Sequence, residues 1–487
     1  MVSVAIIGGG ISGLAAAYRL RQQNVAVTLF EATERVGGVI RSERCAGYLV
    51  EHGPSSVEGS DPITQELIHD LGLDGQRITA CQPTRKLSIV RNGKALALPV
   101  SAKAFVASPL FSPLGKLRLL REPFVKAGDP QQEESVAAFA RRRLGQEGCD
   151  YLISTFVTSV LAGDPERFSI RHALSGLSQS EQRYGSLTRG LLLASLAKKK
   201  SAQQVSQNAS QGLRGNGQGQ QRQVASASSG VQAERARAFS FRQGLQTLTD
   251  ALFTQIQPYV RLHTPVLHLR RNASGWTVTT KREEREEHTD FDAVIYTAPL
   301  YQLSSMKIEP ACDSTSLSEV EYPPLSLLAL GFRREQVGHH LAGTAMFVPL
   351  VEGRTLRATL FSSSVYPERA PEGHVLLTNF IGGSCNPAHA QLPTEELLAT
   401  LLRELRPLLG ITGSPAFSRH IYLSHSLPQY NVGYGRVLAC IERMEARLPG
   451  FFMAGNYRQG VSVRGALLSG YETASRVLAL LAPALAL

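Results

Sequence analysis

The sequence is poor in cysteine and has no long uninterrupted apolar stretch. Its 487 residues include six cysteines, and none of them has the C-x-x-C spacing of a zinc ribbon. Six scattered thiols also differ from the dense pattern of small secreted scaffolds, so we expect most of them to be buried thiols. The apolar run at residues 477–487 contains Pro483 and is shorter than the roughly 18 residues that a spanning helix needs. These absences argue against a disulfide scaffold and against a membrane-spanning chain.

The N-terminus shows neither the charged segment nor the cleavage site of a secretory or transit peptide, because Met1 leads directly into the apolar residues 2–7. We therefore expect a cytoplasmic protein. Hydrophobic residues make up 43% and charged residues 19% of the chain, a balance that excludes a wholly disordered or coiled-coil protein. At roughly 100 to 200 residues per domain, the length predicts two or three domains.

The net charge of +11 is unevenly distributed along the chain. Between Lys198 and Arg237, seven basic residues accompany one acidic residue in a segment composed mainly of Gln, Ser, Ala and Gly. Such a composition cannot bury enough apolar area to offset the entropy of ordering, so we predict a disordered basic insertion at residues 199–237. We favour a solvated loop over a nucleic-acid contact and expect no nucleic-acid partner, with binding of RNA or anionic lipid as the alternative.

A glycine-rich turn follows the first apolar run. Residues 4–7 have the β-branched composition of a parallel strand that is buried on both faces. Gly8, Gly10 and Gly13 then fit the G-x-G-x-x-G motif of dinucleotide-binding turns. In that motif the first glycine allows the tight turn, the second admits the pyrophosphate and the third lets the helix pack on the strand. The spacing alone is weak evidence, because this chain has 43 glycines.

The residues around the motif strengthen it. Residues 14–20 are strong helix formers, so the amides of Ile11 and Ser12 would open a helix whose dipole faces the phosphates. A second apolar run ends at Glu31, where a carboxylate can accept both ribose hydroxyls, with Ala32 beside it. We therefore predict a dinucleotide site here, and the alternative is a structural turn with a surface glutamate.

Residues 34–42 extend the motif. Gly37 and Gly38 permit close approach of the backbone, and Arg35 and Arg41 could neutralise diphosphate charge. A hairpin turn with exposed arginines is the simpler alternative. The segment resembles the second glycine motif of the large FAD-containing amine oxidase superfamily.

The far end of the chain resembles the same superfamily. Residues 450–456 predict an apolar strand that runs into a glycine turn, and residues 457–470 predict the start of a helix. In the superfamily this helix points its N-terminus at the flavin, where its dipole would stabilise the negative charge of the reduced ring; an ordinary docking helix is the alternative. Residues 51–56 are similar to the stretch beside the flavin ring. The resemblance implies these further cofactor contacts: Gly53, Pro54, Ser55, Val266, Ala298, Gly455, Asn456, Gly460, Val461, Ser462 and Val463.

Over nearly its whole length the chain resembles the protoporphyrinogen oxidase family. Residues 239–248 are similar to the turn and helix that follow the family's central insertion, and residues 361–373 and 427–433 resemble segments distinctive of the family. Some related amine oxidases attach FAD through a cysteine near the last helix, whereas residues 441–487 contain neither Cys nor Trp. The resemblance therefore implies one non-covalent FAD per chain.

The resemblance implies an enzyme of heme biosynthesis that oxidises protoporphyrinogen IX to protoporphyrin IX, removing six electrons in three flavin cycles with dioxygen as acceptor. Hydride transfer is the chemistry of the cofactor, so we assign no side chain as general acid or base and predict no metal. One alternative is a coproporphyrinogen III oxidase of the same fold, which would form coproporphyrin III. Another is a non-catalytic flavoprotein that is tethered to nucleic acid by the insertion.

The implied fold is α/β, with three interleaved domains. A Rossmann-type FAD-binding domain takes residues 1–84, 240–300 and 445–487, and a mixed-sheet α+β substrate domain takes residues 85–99 and 300–444. Residues 100–198 form a helical domain that associates with membrane in relatives, and leucines alternate with cations in residues 113–121. For that segment an amphipathic helix that faces the core and has a solvated basic face is the alternative. We expect peripheral attachment to the inner face of the cell membrane and consider a homodimer possible.

Three residues are candidates for substrate binding. Relatives bind a substrate propionate with an arginine at the position that aligns here with Leu87; Arg85 lies two residues away, on the same face of a strand, and could substitute. Leu330 and Phe332 lie in an apolar run, residues 326–332, that suits a flat macrocycle. An exposed strand arginine with no ligand is the alternative for Arg85.

Overall fold

The computed structural model describes residues 2–59, 61–80, 87–193, 238–282 and 285–485. The predicted propionate partner Arg85 and the predicted insertion at residues 199–237 lie outside these ranges. Both stay predictions.

Five of the described strands form a parallel sheet. The central strand forms from the β-branched run at residues 4–7, whose side chains are buried on both faces. Its neighbours come from the two ends and the middle of the chain, as the Rossmann-type prediction requires. From edge to edge the order is Val260–Arg261, Ala26–Phe30, Ser3–Ile7, Ala293–Tyr296 and Phe451–Met453.

Helices cover one face of this sheet and share a core with Val4 and Ile6. The first and the last helix approach closely, since a Cβ added to Gly470 would lie 2.0 Å from the carbonyl oxygen of Ser12. The elements on this side are the helices Ile11–Gln22, Pro62–Asp70, Gln246–Ile256 and Val463–Leu485 and the three-stranded sheet Val57–Glu58, Ala238–Phe241 and Arg77–Thr79. The hairpin Ser42–Cys45 and Tyr48–Glu51 instead packs Tyr48 and Val50 on the mixed sheet described below.

The opposite face of the parallel sheet packs against a four-stranded sheet and a helix. Ala5 and Ile7 share a core with Trp276 of that second sheet. Its strand order is Arg285–Phe291, Trp276–Arg282, Val266–Arg271 and Lys307–Glu309. The helix Gly435–Arg447 buries Val437, Ile441 and Met444 in the same core. The boundary predicted between residues 444 and 445 falls inside this helix, which packs on the FAD-binding side.

A second large sheet is mixed, because its strands Ala345–Phe347 and Leu87–Arg91 run parallel while its other pairs are antiparallel. The amphipathic helix Thr394–Leu409 covers one face of it through a row of leucines. The other face borders the cavity described below. The strand order is Phe417–Leu423, Leu325–Arg333, His374–Gly382, Leu356–Leu360, Ala345–Phe347, Leu87–Arg91 and Lys94–Ala97.

A helical region follows the strands Leu87–Arg91 and Lys94–Ala97 along the chain and is described as far as residue 193. Within the described ranges no helix has the length and apolarity that crossing a membrane requires. A buried ion pair between Arg143 and Glu122, 3.2 Å apart, lies inside this region. Its helices include Ala102–Ala107, Pro113–Leu120, Val136–Gly148, Ser154–Val160, Ile170–Ala173 and Ser175–Tyr184.

Candidate active site

One cavity of about 1140 Å³ runs from the parallel sheet to the mixed sheet. Its cofactor end lies where the strands Ser3–Ile7 and Ala26–Phe30 finish, the usual edge for ligands of open α/β sheets. Its substrate end lies against the mixed sheet. Most of the residues predicted to contact the cofactor line this cavity: Gly8, Gly10, Ile11, Ser12, Glu31, Ala32, Arg35, Gly37, Gly38, Gly53, Pro54, Ser55, Val266, Ala298, Gly455, Asn456, Val461, Ser462 and Val463.

The N-terminus of the helix Ile11–Gln22 forms the floor of the cofactor end. Gly10 caps this helix without any side-chain hydrogen bond, and the first turn carries no acidic residue. A Cβ added to Gly10 would meet no protein atom within 4 Å, so the space in front of this glycine is free to hold a ligand. A diphosphate fits this position because free amides and the helix dipole favour an anion.

Gly13 does not line the cavity. A Cβ there would lie 2.0 Å from the carbonyl oxygen of Gly8, so only glycine lets the helix approach the strand this closely. Gly8 itself has a φ of +107°, which favours glycine in the turn.

Glu31 is held in place by its own loop. Its Oε2 accepts from the amide of Gly9 at 2.7 Å, and its Oε1 accepts from the amide and the hydroxyl of Thr33 at 2.9 and 2.8 Å. A carboxylate offers about four acceptor positions, of which these three donors leave about one for a ribose hydroxyl. The geometry suits the predicted role.

The two arginines of the second glycine motif, Arg35 and Arg41, differ in whether they line the cavity. Arg35 lines the cavity, but its guanidinium donates to the carbonyls of Val36, Gly38 and Ile40, at 2.9, 2.5 and 3.2 Å. It therefore anchors the glycine loop, and burial lowers its pKa. Arg41 is exposed and does not line the cavity. Charge neutralisation by Arg41 stays a prediction, whereas Arg35 has a structural task that sequence reasoning missed.

The segment after the strand Phe451–Met453 supplies the opposite wall. Asn456, Val461, Ser462 and Val463 line the cavity, whereas Gly460 does not. The Ser462 hydroxyl accepts from the amide of Gly465 at 3.0 Å and so caps the C-terminal helix. The N-terminus of this helix therefore opens at the cavity, as the superfamily resemblance implies.

The substrate end is mainly apolar, and none of its described lining residues is charged. In the described lining, the charged side chains are Glu31, Glu34, Arg35 and Glu58, and all four belong to the cofactor end. The lining of the substrate end includes two groups that sequence reasoning missed: the helical-region residues Thr158, Ser159, Val160, Leu161 and Ala162, and the sheet residues Leu325, Leu327, Phe347, Ala358, Leu360, Phe380 and Leu423. The alternation of period two along the strands was the signal that could have selected the sheet residues.

Leu330 and Phe332 do not border the cavity, and their predicted substrate contact is wrong. Both are fully buried and pack with the leucines of the helix Thr394–Leu409, on the opposite face of the mixed sheet. Successive side chains of a strand point to opposite faces. Leu325 and Leu327, from the same strand, therefore face the cavity instead.

Leu87, the first residue that the structure describes after the gap at 81–86, adjoins the substrate wall. Leu87 packs in one cluster with Phe347, Ala358 and Phe380, three residues that line the cavity.

Comparisons with known proteins agree with this geometry. A family model described as flavin-containing amine oxidoreductase matches residues 11–478. Protoporphyrinogen oxidase 2 of Arabidopsis thaliana is 35% identical over 98% of this chain and 94% of the relative. Coproporphyrinogen III oxidase of Bacillus subtilis is 28% identical, with 98% and 97% covered.

The fold has a counterpart among solved structures. The crystal structure of a protein from Exiguobacterium sp. 255-15 superposes with a TM-score of 0.79 at 23% identity and covers 98% of both chains. At that identity the likeness speaks for the fold alone. The matched length and the identity to the plant enzyme place the chain in the protoporphyrinogen oxidase family of the flavin-containing amine oxidoreductases, and FAD is its cofactor.

Proposed function

We propose that this enzyme oxidises protoporphyrinogen IX to protoporphyrin IX, using FAD as the hydride acceptor and dioxygen as the final oxidant. Each porphyrinogen loses six hydrogens, and three molecules of dioxygen take them up as three molecules of hydrogen peroxide. The observation that carries the proposal is the continuity of an apolar chamber with the cofactor end of the same cavity. A flat hydrophobic macrocycle needs such a chamber.

The residues of this chain hold, orient and shield the reactants. Gly10, Glu31 and the two helix N-termini would hold the diphosphate and ribose of FAD, which supplies the two-electron chemistry. Leu327, Leu360 and Phe380 would pack on the macrocycle and exclude water from the reacting carbon. The described lining of the substrate end carries no charged side chain, and the absence of a protein acid or base from the reaction stays a prediction.

The propionates of the substrate need partners or solvent, because an unpaired buried carboxylate is costly. Among the described residues, the substrate end has no charged lining, which favours a substrate with two carboxylates over one with four. Arg85 stays the proposed partner, supported by the position of Leu87 beside the substrate wall.

The direct test is an aerobic assay of the purified holoenzyme with protoporphyrinogen IX and coproporphyrinogen III, each followed by porphyrin fluorescence. We expect the higher kcat/KM for protoporphyrinogen IX. A higher value for coproporphyrinogen III would reverse the assignment, and no porphyrin formation from either would reject it. Arg85→Ala should raise KM about tenfold, a loss of about 1.4 kcal/mol of binding. Arg41→Ala, which removes an arginine predicted to lie near the cofactor and not near the substrate, is the control.

We also propose that the helical region docks on an anionic membrane surface. In the helix Pro113–Leu120, the residues Leu114, Leu117 and Leu120 are 79%, 55% and 65% exposed, so the leucine stripe faces outward. Phe124 is 83% exposed beside it, and an outward apolar stripe of this kind is typical of interaction sites. The exposed cations Lys103, Arg121 and Lys126 lie in the same stretch of chain.

Sedimentation with lipid vesicles tests this docking. Wild-type protein should bind phosphatidylglycerol vesicles more strongly than phosphatidylcholine vesicles, and L114D/L117D should abolish most of that binding. Val351→Asp, at another exposed apolar position (57%), is the matched control. Equal binding of wild type and the double variant would contradict the proposal.

A further inference from the structure

One side chain holds both ends of the loop that precedes the C-terminal helix. The hydroxyl of Tyr430 donates to the carbonyl oxygen of Asn456 at 2.6 Å and accepts from the amide of Gly460 at 3.0 Å. Tyr430 is 6% exposed, and burial raises the pKa of its phenol, so the hydroxyl stays protonated. A single phenol thus fixes the separation between the start and the end of the loop.

The loop held by Tyr430 borders the cofactor end of the cavity. Asn456 lines the cavity at the start of the loop, and Val461, Ser462 and Val463 line it just after Gly460. Ser462 also caps the C-terminal helix through the amide of Gly465. The position of Gly460 therefore determines where the N-terminus of this helix stands relative to the cofactor.

Tyr430 is itself anchored from other parts of the chain. Its carbonyl oxygen accepts from the amide of Ser169, in the helical region, at 2.8 Å. Its ring stacks on that of Tyr434 with the centroids 4.2 Å apart, and the Tyr434 hydroxyl donates to the carbonyl of Tyr457 at 2.7 Å. Because Ser169 holds its backbone from outside the loop, Tyr430 can impose a position on the loop rather than follow it.

We propose that Tyr430 is a positioning residue that sets the N-terminus of the C-terminal helix against the flavin and thereby favours the reduced cofactor. A helix N-terminus stabilises negative charge, and this effect falls off within the first turn. Reduced flavin carries more negative charge than oxidised flavin, so a displaced helix weakens the binding of the reduced form more. The inference rests on the FAD site and is independent of the porphyrinogen assignment.

The test compares two hydroxyl deletions in the full-length holoenzyme. Tyr430→Phe should bind reduced FAD about tenfold more weakly relative to oxidised FAD, which lowers the two-electron midpoint potential by about 30 mV. Tyr322→Phe removes another buried hydroxyl, which accepts from the amide of Leu300 at 3.3 Å and makes no hydrogen bond to residues 456–460. It should lower the melting temperature and leave the potential unchanged. The readouts are a dye-coupled reductive titration, an FAD titration of the apoprotein and thermal melting.

Three results would overturn the proposal. A wild-type potential in a destabilised Tyr430→Phe protein would make the residue merely structural, and an equal shift in both variants would indicate general loosening. If Tyr430→Phe fails to fold, 3-fluorotyrosine at position 430 keeps the hydroxyl, and its fluorine resonance should move when the flavin is reduced. The same label at position 184, in the helical region, should not move. An unchanged resonance at position 430 would be the third contrary result.

Discussion

The two ends of the cavity are built in different ways. At the cofactor end the backbone makes the site: glycines, free amides and helix termini contact the ligand position, and they lie in short continuous motifs such as residues 8–13. At the substrate end, side chains make the site, and they come from alternate positions of several strands and from the helical region.

This difference determines what can be altered at each end. A backbone site tolerates little change, because a new Cβ occupies the space of the ligand. A side-chain wall can be reshaped one residue at a time, since each member contributes part of a large apolar surface. The cofactor end should therefore respond to substitution in an all-or-none manner, and the substrate end in graded steps.

The largest effect is expected for Gly10→Val. The backbone of Gly10 has φ −68° and ψ 176°, which any residue adopts, and no protein atom lies near the added Cβ. The fold should therefore survive while the side chain fills the diphosphate position. We expect purified protein without flavin absorbance and with the melting temperature of wild-type apoprotein.

Gly75→Val is the control for this substitution, since an added Cβ there also meets no atom within 4 Å and the residue lies outside the cavity. It should retain flavin. Flavin retention by Gly10→Val would show that the diphosphate lies elsewhere.

A second pair of substitutions separates the two faces of the mixed sheet. Phe380→Ala removes part of the cavity wall and should lower kcat/KM roughly tenfold to a hundredfold, with flavin content unchanged. Phe332→Ala opens a void beneath the helix Thr394–Leu409 and should lower the free energy of unfolding by about 3–5 kcal/mol, with KM unchanged. Kinetics and urea denaturation of both variants check the assignment, and the opposite pattern would restore Phe332 as a substrate contact.

The same difference explains how far sequence reasoning could reach. The glycine turn, Glu31 and the strands around them were predictable because the motif is local and each residue has a steric reason to be there. Leu330 and Phe332 were chosen from an apolar run in which every second residue points away from the cavity. Only the register of the neighbouring strands decides which alternate set faces the substrate.

Two other features had no local signal. The residues 158–162 reach the cavity through the packing of the helix Ser154–Val160 on the mixed sheet, a contact between segments about 200 residues apart in sequence. Helix Gly435–Arg447 belongs to the core of the FAD-binding side although the resemblance placed its start in the substrate domain. Tertiary packing decides both placements.

A smaller effect is expected for Glu31, a side chain that lines the cofactor end. Glu31→Gln keeps the shape of the side chain but removes the negative charge of the group that accepts from the amide of Gly9. Charge-assisted hydrogen bonds are stronger than neutral ones, so FAD should bind about tenfold more weakly, about 1.4 kcal/mol. Titration of the apoprotein with FAD measures this. Glu34 also lines the cofactor end but is exposed, so Glu34→Gln should weaken FAD binding less than Glu31→Gln; an equal loss in both variants would assign the effect to loop charge rather than to Glu31.

The smallest effect concerns the helical region, which lines the substrate end of the cavity but not the cofactor end. Burial opposes ionisation of Glu122, but hydrogen bonds from Ser186, Thr188 and Leu187 outweigh it and hold the pKa of this carboxyl below its usual value. A carboxyl whose pKa is depressed on folding adds stability above its unfolded pKa, about 4.3, and loses it as the pH falls through the folded pKa. Wild-type protein should therefore lose unfolding free energy as the pH falls below about 4. Glu122→Gln should flatten this part of the pH profile in urea denaturation, whereas Asp129→Asn, an exposed carboxylate of the same region, should reproduce the wild-type slope. Parallel profiles for wild type and Glu122→Gln would show that this carboxyl is not a source of acid lability.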